Sequence, residues 1–243
     1  CTYRRRLKKP ALASGQQVYL EFRGVNSSAL VRMNGKELAR HDGGYSTFRV
    51  NVTDALEEDN TLEVLADNAP NDRVYPQRAD FTFYGGIYRD VYMIIADSSH
   101  FDLDDHGGSG FRITSEVSGD NAVVRFETYS VGEAEKIVVS IPGAGETELA
   151  LETVDGKTYG RGSIAIPDVH KWDGVEAPYL YEATAALYRG GVAVDLVRER
   201  FGCREFRFDA EEGFFLNGRR YPLHGVSRHQ DRLGVGNALT RKM

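Results

Sequence analysis

The stretch VYLEFRGVNSSALVRMNGKELARHDGGYSTFRVNV, Val18 to Val52, sets the fold class. Its first run alternates Val18, Leu20 and Phe22 against Tyr19, Glu21 and Arg23, the period-two pattern of a strand with one buried face. The next run breaks at Asn34-Gly35, the dipeptide that best tolerates positive φ at both corners of a type I′ hairpin. Alternation resumes at Phe48, Val50 and Val52. Two further strand-like runs, TLEVLAD and RDVYMII, follow on either side of a polar, proline-containing loop from Asn68 to Arg78. Short strands at this spacing predict a β-sandwich.

Working outward, a second block begins near Ser98. The polar, glycine-rich segment HFDLDDHGGSGF leads into FRITSEV, AVVRFETYSV, KIVVSI, TELALETV, GSIAI, YLYEATAALY and VAVDLVRERF. Seven strands in about a hundred residues predict an immunoglobulin-like sandwich without its disulfide. Trp172, Tyr179 and Tyr181 read as core and edge packing. YEATAALY holds three alanines and could form a short helix, but its flanks favour a strand. After Cys203 a second Asn-Gly turn, Asn217-Gly218, predicts a hairpin leading into a strand that ends near Val226. The segment 207–243 is too short to bury a core of its own and must dock elsewhere.

Composition narrows the function classes. The chain has 243 residues, 41% hydrophobic and 27% charged, as in globular proteins. A net charge of −6 argues against nucleic acid as partner, since no basic footprint is present. No apolar run approaches the ~18–20 residues of a membrane span. The basic opening CTYRRRLKKP lacks the apolar region of a signal peptide, so a cytoplasmic location is expected. Cys1 and Cys203 alone make neither a disulfide framework nor a thiolate metal site.

Five strings, in order along the chain, resemble glycoside hydrolase family 2, the β-galactosidase and β-glucuronidase group. VRMNGKELARHDGGYSTFRVNVTDAL and DFTFYGGIYRDVYMI resemble its jelly-roll-like sugar-binding sandwich. APYLYEATAALY and RERFGCREFRFD resemble the last strands and exit of its immunoglobulin-like domain, and GFFLNGRRYPLHGVSRHQD resembles the start of its (β/α)8 barrel. The resemblance implies an all-β chain of three parts: residues 1–97, a sugar-binding-like sandwich expected to lack its first strands; 98–206, an immunoglobulin-like sandwich; and 207–243, the first hairpin and strand of a TIM barrel.

The family's chemistry is retaining hydrolysis of a β-glycoside by two carboxylates about 5–5.5 Å apart, one nucleophile and one acid/base. In the family both are glutamates on later barrel strands; Glu211 and Glu212 match neither. The resemblance therefore implies a catalytically inactive portion of a longer enzyme acting on β-galactosides, with no catalytic residue of its own. A β-glucuronidase parent is the alternative within the enzyme class, and a stand-alone carbohydrate-binding or adhesion module the alternative outside it. Exposed sandwich edges would make the chain a homo-oligomer.

The resemblance singles out two substrate-binding residues. Asp80 corresponds to an aspartate that reaches a galactosyl hydroxyl and a sodium ion; taken alone, it is a loop aspartate capping a turn. No cofactor is otherwise implied, beyond sodium or magnesium in the longer enzyme. Phe81, Phe83, Tyr84 and Tyr88 read as sandwich core or as a sugar-stacking platform. Arg89 and Asp90 read as a structural salt bridge or domain contact.

In YPLHGVSRHQD, a Ser227–His229–Asp231 triad and a metal site from His224, His229 and Asp231 are the competing local readings. The triad would need a strained nucleophile and an oxyanion hole and is usually assembled from distant segments, and the metal set matches no standard zinc spacing. The resemblance instead makes His229 a sugar-positioning residue, with Arg228 and Asp231 orienting it. The commonest family string has arginine at the place of His224, asparagine at Ser227 and glutamate at Gln230. His224 is closer to the glucuronidase pattern and GGIYRDV to the galactosidase pattern, which leaves the sugar open.

Overall fold

A computed structural model describes residues 1–240 and 242–243, almost all of whose regular structure is β. Two compact units form. The first comprises Cys1–Asp97, His106–Gly108 and Ser227–Met243; the second comprises Ser98–Asp105 and Ser109–Val226.

The first unit is a sandwich of antiparallel sheets. Strands β1 (Thr2–Lys8), β4 (Ser28–Met33), β5 (Lys36–Asp42) and β7 (Asp59–Asp67) make one sheet in the order β1-β7-β4-β5. Strands β2 (Gln17–Phe22), β6 (Phe48–Asn51) and β9 (Val91–Ala96) make the other, in the order β6-β2-β9. A two-residue ribbon joins β3 (Val25–Asn26) to β8 (Gly86–Ile87). Val18, Leu20 and Phe22 of one sheet and Val31, Met33 and Val64 of the other form the core between them. The expected hairpin is present: Asn34 and Gly35 have φ of 53° and 81°, the positive pair a type I′ turn needs.

One expectation fails in β2. Tyr19 and Glu21, assigned to a solvent face, are buried as well. For Glu21 the reason is an ionic cover: it accepts from Arg23 Nε and Arg49 Nε, each at 2.7 Å, while Arg49 Nη1 also donates to the Gly108 carbonyl at 2.6 Å. Burial pushes the Glu21 pKa up, but the hydrogen bonds from the two arginines outweigh it and hold the carboxyl below its usual range.

The second unit is also a two-sheet sandwich. Its strands are β10 (His100–Phe101), β11 (Phe111–Ser118), β12 (Asn121–Val131), β13 (Lys136–Ile141), β14 (Gly145–Glu148), β15 (Ala150–Val154), β16 (Lys157–Ile166), β17 (Tyr181–Arg189) and β18 (Val192–Phe201). One sheet runs β10-β12-β16-β15 with β11 also paired to β12; the other runs β14-β13-β17-β18. In β12 every second side chain is buried, and Val124 and Phe126 meet Ile137, Val139 and Leu187 from the facing sheet. The run read as one strand, TELALETV, is two. The chain crosses from one sheet to the other at Leu149, whose side chain is buried as it passes. YEATAALY lies in β17, as its flanks indicated. Cys203 is a buried free thiol and Cys1 is exposed.

The Asn217-Gly218 turn closes a three-stranded sheet of β19 (Phe206–Asp209), β20 (Gly213–Leu216) and β21 (Arg219–Arg220). The strand expected up to Val226 is absent: the Tyr221 amide still donates to the Phe214 carbonyl at 2.9 Å, but among the described residues no ladder continues along 222–226. Among the described residues no helix is long and apolar enough to cross a membrane.

Candidate functional site

The first unit carries a pocket of about 270 Å³, a size suited to one small polar ligand. Several stretches build it. The turn after β5 supplies Tyr45, the irregular loop between β7 and β8 supplies Phe81 and Tyr84, and the segment from Arg228 to Asp231 forms the opposite wall. Tyr88 and Arg89 contribute from between β8 and β9.

Small residues make this arrangement possible. Gly44 lies against Asn26 so closely that a Cβ there would come within 2.2 Å of the amide oxygen. Gly86 has φ of 102°, a value L-residues rarely adopt, and a Cβ would meet the Tyr3 hydroxyl at 2.4 Å. Tyr88 is buried and donates its hydroxyl to the Gly44 carbonyl at 2.6 Å, and burial raises its phenol pKa. Its role is packing of the pocket floor. Phe81, by contrast, is 42% exposed, and its ring meets that of His229 edge-on with centroids 6.1 Å apart. Tyr45 is similarly open and stacks on Tyr75 at 5.4 Å. The aromatic cluster thus divides into a buried support and open rings able to face a sugar.

The structure brings Asp80 and His229 together although 149 residues separate them in sequence. Asp80 Oδ2 lies 3.8 Å from His229 Nε2, with both side chains open to solvent. The distance is too long for a hydrogen bond and leaves both groups free to bind hydroxyls. The carboxylate expected to orient His229, Asp231, is engaged elsewhere: it accepts from the Tyr84 hydroxyl at 3.1 Å. That bond joins the pocket's two walls, and Gly236 lies against the Tyr84 ring to seat the same contact. Tyr84 is the residue the sequence reading undervalued, because nothing in its local pattern distinguishes a linking tyrosine from a core one.

Arg89 and Asp90 do not form the expected salt bridge. Arg89 Nη1 donates to the carbonyls of Arg23 and Tyr45, at 3.3 and 3.1 Å, and Asp90 accepts from the Tyr92 hydroxyl. Arg89 therefore pins the Tyr45 turn, a task the backbone sets and the sequence does not advertise. Neither competing reading of the final histidines gains support. Among the described residues no cluster of three or more His, Cys, Asp or Glu could hold a metal. A sodium or magnesium ion at this place would take the exposed Asp80 carboxylate as a hard oxygen ligand.

Comparison with known proteins gives this geometry a family. Residues 1–85 match the family described as the glycosyl hydrolase 2 galactose-binding domain-like domain, and residues 102–204 match glycosyl hydrolases family 2. A β-glucuronidase of Bacteroides fragilis is 35% identical over 93% of this chain and 34% of its own length. A β-galactosidase of Thermoanaerobacterium thermosulfurigenes is 29% identical over 93% of this chain and 32% of its own length. The crystal structure of an FMN-binding β-glucuronidase from Faecalibacterium prausnitzii superposes with a TM-score of 0.89 at 35% identity, covering 99% of this chain and 38% of that one. The chain thus spans about a third of the length of the curated relatives it matches. With two consecutive domains of one family matched in order, and relatives from that family aligned along nearly the whole chain, this protein belongs to glycoside hydrolase family 2.

Proposed function

We propose that this chain is the non-catalytic N-terminal portion of a retaining glycosidase that hydrolyses β-galactosides, and that it lends Asp80 and His229 to the sugar site. The observation carrying this reading is the convergence of those two side chains beside one pocket lined by open aromatic rings. An ionised carboxylate accepts from sugar hydroxyls, an imidazole donates to them, and an aromatic face stacks on the ring's C–H surface. No glutamate lines the pocket, and its lining carboxylate, Asp231, is held by Tyr84. The nucleophile and the acid/base would come from the rest of the enzyme. The exposed apolar side chains Phe206, Phe208, Leu223 and Val226 fit the role of a barrel's first elements, covered by the strands and helices that follow.

A β-glucuronide parent is the second reading. Arg228 and Arg89 both line the pocket, and a guanidinium suits the carboxylate of an acidic sugar. The 35% identical relative is a β-glucuronidase, whereas the β-galactosidase relative is 29% identical. The test is kinetic. The full-length enzyme is assayed on nitrophenyl β-galactoside and nitrophenyl β-glucuronide, beside the 243-residue chain. The proposal expects turnover of the galactoside by the full-length enzyme and none by the chain. Preference for the glucuronide selects the second reading, and turnover by the chain at the full-length rate refutes both.

A further inference from the structure

A single buried amide touches two of the segments that shape the pocket, the turn after β5 and the loop between β7 and β8. Asn26 is 1% exposed. Its backbone pairs with Gly86, so its side chain lies under the loop between β7 and β8. Nδ2 donates to the Tyr84 carbonyl at 2.7 Å, and Oδ1 accepts from the Tyr75 hydroxyl at 3.2 Å. Those two partners flank Asp80 and Phe81 in the chain. Gly44 packs on the same amide and precedes Tyr45. The neighbouring Ser27 adds a tie to Gln77, whose Nε2 lies 3.1 Å from its hydroxyl. The loop forms no strand between residues 68 and 85, so side-chain bonds of this kind must replace a β-ladder in fixing its course.

We propose that Asn26 is a positioning residue for the sugar site: its amide sets the loop that presents Asp80, Phe81 and Tyr84, and so controls substrate binding without touching substrate. This rests on the glycosidase reading above. The donor and acceptor are used in a fixed sense, one toward Tyr84 and one toward Tyr75. An aspartate at this place reproduces the pair only when its carboxyl is protonated, because a carboxylate has no hydrogen to give the Tyr84 carbonyl. Leucine, of similar volume, reproduces neither.

The test uses the full-length enzyme with Asn26→Asp, Asn26→Leu and Tyr75→Phe, each compared with wild type at the same pH. At pH about 7.5, Asn26→Asp should raise KM about tenfold while kcat stays within about threefold, the mark of lost ground-state binding. Near pH 5 its KM should return to within about twofold of wild type, because burial favours the neutral carboxyl. Asn26→Leu should stay impaired at every pH. Tyr75→Phe, which removes only the hydroxyl, should raise KM by about two- to fivefold without pH dependence. Hydrogen exchange across 72–85 should speed up in Asn26→Asp at neutral pH and recover in acid, relative to wild type.

An Asn26→Asp KM that matches wild type, or one that does not respond to acid, overturns the proposal. If Asn26→Asp does not fold, an unchanged KM in Tyr75→Phe overturns it. Unchanged exchange in the loop overturns it independently of any activity. A wild-type enzyme that turns over neither glycoside refutes the functional reading instead, and exchange then decides the loop-positioning role by itself.

Discussion

Replacing Glu21 with glutamine should cost the first unit about 3 kcal/mol, nearly all of it through Arg49. The structure separates the two arginines by exposure. The Arg49 side chain is 10% exposed and the Arg23 side chain 51%, while Glu21 itself is 7% exposed. Removing one member of a buried ion pair takes that counter-charge from its partner, typically costing ~3–5 kcal/mol. Glutamine retains an acceptor oxygen, and Arg49 keeps its bond to Gly108, so the lower end applies. Arg23 is solvated on one side, so Arg23→Gln should cost under about 1 kcal/mol. Replacing both buried charges, Glu21→Leu with Arg49→Met, should cost less than the sum of the two single replacements, since the two charges are removed together.

Native-state hydrogen exchange of β2 and β6 reads the effect in the unit concerned, and urea unfolding followed by Trp172 fluorescence, which reports the second unit, should not move. The pH dependence has a definite sign. The folded pKa of Glu21 is depressed, so its contribution is complete above the ordinary value of about 4.5 and is lost as pH falls through the lowered one. Equal costs for Glu21→Gln and Arg23→Gln would refute the assignment of the stabilisation to the buried pair.

Three further outcomes are expected. In the full-length enzyme, Asp80→Asn and His229→Ala should each lower kcat/KM by at least about tenfold, as loss of a sugar hydrogen bond requires, with the melting temperature unchanged because both side chains are exposed. Burial lowers the His41 pKa from 6.5, where its ring stacks on Phe48 and Nε2 meets the Gly43 carbonyl and the Ser46 hydroxyl. The depressed value means stability is full above about pH 6.5 and declines as pH falls through the folded value; thermal melts of His41→Gln should lack that decline. Leu187→Ala, at a fully buried position between the sheets of the second unit, should cost about 2–5 kcal/mol in urea unfolding followed by Trp172 fluorescence.

Both sandwiches were legible in the sequence because their alternation encodes burial locally. Val18, Leu20 and Phe22 declare a core face without help from any other part of the chain, and Asn34-Gly35 declares a turn from backbone sterics alone. Glu21 was misread for the complementary reason. Its burial depends on Arg49, 28 residues away, and on the carbonyl of Gly108, neither of which a period-two pattern contains. TELALETV was read as one strand because alternation continues through Leu149 even though the hydrogen-bonding partner changes there. Period reports which face is buried and is silent about which neighbour pairs.

The same distinction explains the cluster around His229. The stretch from His224 to Asp231 concentrates reactive side chains, and nearness in sequence suggests that they act on one another. In the folded chain His229 faces Asp80, and Asp231 binds Tyr84, so each reaches back to the loop between β7 and β8. What the cluster supplies is one wall of a pocket whose other wall is built by residues 45 and 81–89. A self-contained triad would leave that loop free to vary. The two-walled site proposed above instead makes the loop's course, and hence Asn26, Tyr75 and Arg89, part of what would determine binding. Substitutions at those three positions, none of which carries catalytic chemistry, should therefore move KM ahead of kcat, whereas a site confined to 224–231 would be indifferent to all of them.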